Sequence, residues 1–349
     1  MTNENQEDFY CEENIEENRM FIEKTESLVK PQEVTGISFF SDLNRKMPKK
    51  LQQAFMKSGK KKVPYMGFIV DPYCFFLAYE LKNPTAAQQM LPEGYELVET
   101  SLFKGDKKTP MVIIGAFSAR TSAFIGMRTE FYVIARNKVS GLISWIIVDY
   151  ETNTNSYDPK NGFGGYTCDQ GMFTTTPFGE LLVGITNSKK EKELILTVDL
   201  KKGKTMELDE SLWIEGNLSV DYGGEVKGDE PDFFSLIFDQ NMMKEAVKIP
   251  LENVEIKANS YLSNIIDPLK PINAAIFPYS QHFIIKQDLG VNDLKNQKEL
   301  CQQMRSFLRT TEFKTMSGDD IKKPLLAGLM ISSLINIGII ITLLLLLLL

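Results

Sequence analysis

Two neighbouring runs, TEFYVIAR (129–136) and LISWIIVDY (142–150), decide the fold. Both are dense in branched and aromatic residues, and the five residues between them include Asn137 and Gly141. That is the composition of strands joined by a hairpin-length loop. The same pattern extends outward. Further candidate strands are FIVDPYCFFLAYE, YELVETSLF, MVIIGAFS, ELLVGITN, ELILTVDL, LWIEGNLSV, FFSLIFDQ and AVKIPLENVEI, with Gly, Pro, Asn and Asp clusters between them. So many strands at this spacing predict a mainly β domain, a closed antiparallel barrel or sandwich with a few short helices. One helix is expected in PTAAQQMLPEG, opened by Pro84 and stopped before Pro92. Another is expected in NDLKNQKELCQQMRSFL, where Leu294, Cys301, Met304 and Leu308 recur at helical spacing.

Composition bounds the function. The chain has 349 residues, 43% apolar and 24% charged, enough to bury a real core. Its net charge of -7 gathers near the start, where residues 1–30 hold nine acidic and three basic side chains. Nucleic acid is therefore a poor partner. Four scattered cysteines (Cys11, Cys74, Cys168, Cys301) without a CxxC disfavour disulfides and zinc fingers. A single histidine, His282, excludes a His-rich metal cluster and reads as a structural residue. No cofactor or metal is expected.

Two segments point to a membrane. Residues 324–349, PLLAGLMISSLINIGIIITLLLLLLL, carry no charged side chain and at ~1.5 Å per residue reach roughly 39 Å, longer than a hydrocarbon core. They are expected to form a transmembrane helix. Lys322 and Lys323 before the span place the main domain in the cytosol by the positive-inside rule, the arrangement of a single-pass tail anchor. Residues 45–62 hold eight basic side chains and no acidic one, which fits either anionic lipid or a soluble basic linker. The expected organisation is an acidic mobile segment (1–35), a basic linker (36–66), a β-barrel domain (67–290), a helical connector (291–323) and the membrane helix (324–349).

The order of features resembles the acetoacetate decarboxylase-like family. FFLAYELKNPTAAQQMLPEGYEL supplies a strand, a short helix and the Pro92-Glu93 turn; RTEFYVIAR supplies a strand opening on Thr-Glu, with Glu130; SWIIVDY ends in an acidic turn at Asp149. The likeness covers about residues 68–286. It implies a barrel of that family's type and, in the family, a reactive lysine that forms an iminium with a β-keto acid. Acetoacetate decarboxylase is itself the established example of a lysine made nucleophilic by a neighbouring cation. Counted without gaps from Asp149, the family's two adjacent lysines fall on Gly165 and Tyr166, whereas Lys160 in YDPKNGFGGY follows a proline five residues earlier. Asp158 beside Lys160 favours the charged ammonium, against nucleophilic use.

Other signals are weaker. Gly162, Gly164 and Gly165 lack the strand–helix context of a phosphate loop and read as a turn. Cys168 is either a reactive thiol or an inert one, and Asn217-Leu218-Ser219 is a glycosylation sequon that a cytosolic domain does not use.

Three functions stay open. One is a cytosol-facing domain binding a small, partly apolar ligand, such as an organic acid or hydrophobic metabolite. The second is a carboxy-lyase using Lys160 with Glu130, and the third a membrane scaffold.

Overall fold

In a computed structural model of the chain, the β-rich pattern becomes a thirteen-stranded sheet, a four-stranded antiparallel sheet and a two-stranded hairpin. The structure describes residues 14–30, 34, 48–50, 52, 65–121, 124–154, 156–158, 160, 162–164, 166–228, 234–286, 294–311 and 318–348.

The large sheet is built around a meander. After helix α1 (Ile15–Leu28) come strands β1 (Tyr65–Val70) and β2 (Cys74–Glu80), the short helix α2 (Pro84–Met90), then β3 (Tyr95–Leu97) and β4 (Glu99–Thr100). Two thirteen-residue strands, β5 (Thr109–Thr121) and β6 (Ile125–Asn137), lead to β7 (Ile143–Thr152). Helix α2 starts as the sequence predicts: Asn83 accepts from the Ala86 amide at 3.1 Å, and Pro84 fills the first turn, where no amide donor is needed. β5 pairs with β2 on one edge and β6 on the other, and β6 pairs onward with β7.

After the hairpin β8 (Ser156–Asp158) and β9 (Gly162–Gly164), the four-stranded sheet takes β10 (Cys168–Thr175), β11 (Glu180–Asn187), β12 (Glu193–Asp199) and β17 (Val254–Asn259). The chain returns to the large sheet through β13 (Lys204–Glu207), β14 (Val220–Tyr222), β15 (Leu236–Ile237), β16 (Glu245–Lys248), β18 (Asn273–Phe277) and β19 (Gln281–Lys286).

Several expectations are corrected. Among the described residues no closed barrel is formed: the strand order of the large sheet begins at β13 and ends at β15, and β14 lies parallel to β7. FIVDPYCFFLAYE is two strands broken at Asp71–Tyr73, and AVKIPLENVEI is divided at Pro250 between two sheets. LWIEGNLSV is mostly helical, because Asp209 accepts from the Ser211 hydroxyl and the Leu212 amide and starts a helical turn there; only Val220 belongs to a strand.

The two faces of the sheet bury different cores. One gathers Phe76, Tyr132, Trp145, Trp213 and Phe277; the other packs Phe75, Leu77, Phe131 and Val133 against Leu181, Val183 and Leu196 of the four-stranded sheet. This division follows from the two-residue period of strands. On the first face, edge-to-face pairs Phe76–Trp213 and Tyr132–Trp145, each with centroids 4.9 Å apart, add about 0.5–1.5 kcal/mol per pair beyond burial.

Helices extend that first core. Helix α1 buries Phe21 and Leu28 within the acidic segment expected to be mobile. The expected connector contains α3 (Gln297–Arg309), whose Phe307 meets Phe21 at 5.6 Å. Lys24 donates to the carbonyls of Phe307 (3.0 Å), Leu308 and Thr310 (2.6 Å), capping the end of α3. Glu26 accepts from Arg120 and pairs with His282 at 3.0 Å, so His282 is a buried structural partner. Cys74 and Cys168 are buried thiols outside any disulfide, whereas Cys301 is disulfide-bonded. The expectation against disulfides fails for Cys301 because sequence spacing does not show which thiols a fold brings together.

Helix α4 covers Gly318–Leu348. Among the described residues no helix is long and apolar enough to cross a membrane. The side chains described within α4 are Met330 and 333–348, all exposed, a run shorter than the ~20 residues of a typical span. The transmembrane helix expected over 324–349 is therefore not shown.

Candidate functional site

Four strands place one row of residues side by side. Phe76 of β2 lies opposite Gly115 of β5, Gly115 opposite Glu130 of β6, and Glu130 opposite Tyr150 of β7. Two residues along β6 on either side of Glu130 stand Arg128 and Tyr132, which share its face. A register shift between Phe131 and Tyr132 brings Tyr132 opposite Ile147, so the aromatic stack with Trp145 follows directly above the row.

The polar groups on this face form one network. Arg128 Nε donates to one oxygen of Glu130 and the Tyr132 hydroxyl donates to the other. The Arg128 guanidinium lies 4.3 Å above the Tyr150 ring, within cation–π range. Burial disfavours the charge on Arg128, but the Glu130 carboxylate, with Tyr222 and Tyr150 nearby, outweighs it and holds the guanidinium more firmly protonated than usual. Burial, then the charge of Glu130, pushes the Tyr132 phenol and the Cys74 thiol well above their ordinary ranges. Both are neutral at physiological pH.

Residual exposure gathers on this face. Arg128, Glu130, Tyr132, Phe76 and Tyr150 keep 5–9% of their surface, while Thr129, Phe131, Val133 and Leu77 beside them keep none. Among the described residues, Glu130 is the one hydrogen-bonding partner of the Arg128 guanidinium, through Nε. A buried guanidinium whose forked terminal donors have no hydrogen-bond partner among the described residues is suited to a carboxylate.

The residues singled out by the sequence separate. Glu130 lies in this buried network. Lys160 is exposed in the turn between β8 and β9, and its carbonyl accepts from Lys49 Nζ at 2.9 Å. The structure does not bring Lys160 to Glu130. Gly165 lies outside the described residues, and Tyr166 is exposed. The basic segment 45–62 also falls mostly outside them, with Lys49 and Lys50 exposed.

Sequence reasoning missed Arg128, Tyr132, Phe76, Gly115 and Tyr150. The first two are signalled by their two-residue spacing from Glu130 in RTEFY; the others depend on register across strands. On the opposite face of β7, Glu151 is buried and accepts from Tyr261 at 3.0 Å, while its second oxygen has no hydrogen-bond partner among the described residues. Burial raises the Glu151 carboxyl above its ordinary range. Asp149, on the same face, pairs with Lys192 at 2.8 Å. Among the described residues no group of three or more His, Cys, Asp or Glu is placed to hold a metal.

No protein-family model matches the chain. No curated protein matches it either. Among solved structures, the chain is similar to the crystal structure of an acetoacetate decarboxylase from Legionella pneumophila subsp. pneumophila str. Philadelphia 1, with 13% identity, 64% of this chain and 84% of that chain covered, and a TM-score of 0.41. Likeness of that degree assigns the chain no activity.

Proposed function

We propose that this chain is a membrane-attached binding domain of the acetoacetate decarboxylase-like kind. On this reading a hollow over the Arg128 face takes a small, partly apolar carboxylate on Arg128. The carrying observation is the buried Arg128 guanidinium, with Nε committed to Glu130 and its terminal nitrogens unpartnered among the described residues. A carboxylate there makes two charge-assisted hydrogen bonds, and Phe76 and Tyr132 offer its remainder an apolar wall. The order of β2, α2 and β6 with an inward Glu130 supports the family resemblance read from the sequence.

The iminium route is disfavoured on this reading. It requires a neutral amine beside the substrate, which desolvation or a neighbouring cation must provide. No lysine is buried among the described residues, and Lys160 is exposed.

Membrane attachment rests on α4. Its described side chains include exposed Leu334, Ile335, Ile337, Ile339 and Leu343 to Leu348, an apolar surface too extended to leave in water. The sequence continues that character back to Pro324.

Titration of the full chain in nonionic micelles with benzoate, followed by tryptophan emission, tests the binding reading. Trp145 and Trp213, the only tryptophans, both pack on this face. Benzoate should shift the emission saturably, and Arg128→Met should weaken binding about 100-fold, the loss of charge-assisted bonds worth roughly 3 kcal/mol. Equal binding by the variant refutes the site. Deletion of 325–349 should move the protein to the soluble fraction; retention in salt-washed membranes refutes attachment through α4.

A further inference from the structure

A glycine in the middle of a long central strand is costly, since it packs no side chain and loses the most backbone freedom on folding. Gly115 occupies such a place: it lies inside β5, paired on one side with Phe76 and on the other with Glu130. Its backbone φ is not in the left-handed region, so turn geometry does not require glycine. Space does. A Cβ at Gly115 would lie 2.9 Å from Phe76 Cε1 and 3.2 Å from Tyr132 Cε2.

Those two rings have little freedom to retreat. Phe76 is packed edge-on against Trp145, Trp213 and Phe277, with centroids 4.9–5.9 Å apart, and Tyr132 is held by Trp145 and by its bond to Glu130. The rings therefore lean onto the bare backbone of Gly115. A methyl group there forces one or both rings off their present packing.

From this geometry we propose that Gly115 is the size-determining residue of the hollow, and that the preferred ligand is a monocarboxylate with a compact branched or aryl tail. The carboxylate sits on Arg128 and the tail lies against the two rings that Gly115 lets settle. The inference rests on the binding reading above and narrows it to a ligand class. A dicarboxylate is disfavoured because the tail end of the hollow offers aromatic carbon and the Glu130 carboxylate.

The test compares acetate, benzoate and succinate as competitors and ligands of the full chain in micelles, read by tryptophan emission. The wild type should bind benzoate at least about tenfold more tightly than acetate, because the ring adds buried apolar surface, and should bind succinate no better than acetate. Gly115→Ala should weaken benzoate relative to acetate by about tenfold or more. The double variant G115A/F76L removes the ring edge that the new methyl group meets and should regain benzoate binding.

The outcomes separate the two claims. If the wild type binds none of the three acids, the binding reading itself falls. If the wild type binds but G115A weakens acetate and benzoate equally, or neither, the size-determining role is overturned. If succinate outcompetes benzoate, the ligand class is wrong. Should G115A not fold, Phe76→Leu alone carries the test: it enlarges the same space, so 2-naphthoate should gain on benzoate by about tenfold, and an unchanged ratio overturns the proposal.

Discussion

Replacing Glu130 with glutamine isolates the charge at the centre of the row. The amide oxygen still accepts from Tyr132, and the side chain keeps its size, so packing is nearly unchanged. Arg128, however, loses its counter-charge while remaining 7% exposed. The side chains of the pair are 8% and 12% exposed, so water screens neither well. Removing one partner of a buried pair costs about 3–5 kcal/mol, because the remaining charge stays desolvated. The lower end applies here, since the Arg128 side chain keeps some exposure.

Urea unfolding of the full chain in micelles, followed by tryptophan emission, should therefore show E130Q destabilised by about 3 kcal/mol. The double variant R128M/E130Q removes both charges and should recover most of that loss, to within about 1 kcal/mol of the wild type. Benzoate should stabilise E130Q more than it stabilises the wild type, since it supplies the missing anion. An E130Q protein within about 0.5 kcal/mol of the wild type would refute the reasoning, for it would mean that Arg128 is solvated and the pair is not buried in any energetic sense.

Separate parts of the fold yield three further tests. Because the folded Glu151 carboxyl is raised above its ordinary value, its favourable contribution is full below about pH 4.5 and declines as pH rises through the folded value. Glu151→Gln should thus raise the melting temperature at about pH 7.5 and leave it unchanged near pH 4; a pH-independent difference contradicts the shift. Lys24→Met removes the donor to three carbonyls at the end of α3 and should cost about 1–2 kcal/mol, with faster hydrogen exchange confined to α1 and α3. Borohydride added with a β-keto acid should leave Lys160 unmodified, and a reduced adduct at Lys160 in the peptide map would restore the iminium mechanism.

Local composition reveals much of the fold, and long-range pairing is scarcely visible in it. β6 and β7 are legible because branched and aromatic residues crowd into runs of strand length. Helix α2 is legible because Pro84 marks its start and Pro92 its limit. The open edges of the large sheet are not, since closure depends on which strands meet after many intervening residues. LWIEGNLSV misleads for a related reason: its apolar content suits a strand, yet the local cap at Asp209 sets a helical turn first. In the site, Glu130 stands out through its Thr-Glu context. Arg128 shares its face by simple alternation, a signal that a motif of two residues does not include. Gly115 makes sense only once Phe76 and Tyr132 stand beside it. Lys160 draws attention by following a proline, but position in a chain does not report depth in a fold.

The clasp between α1 and α3 has a mechanical consequence. A pull transmitted along the chain toward α4 reaches α3 first, where Lys24, and Glu17 paired with Arg305 at 3.2 Å, pass the load to α1. From α1 it spreads through Glu26 into Arg120 of β5 and His282 of β19. Because β5 also carries Gly115, that path meets the row from Phe76 to Tyr150 at its middle. Tension along the chain would therefore be shared between these two helices and the strand at the middle of the row.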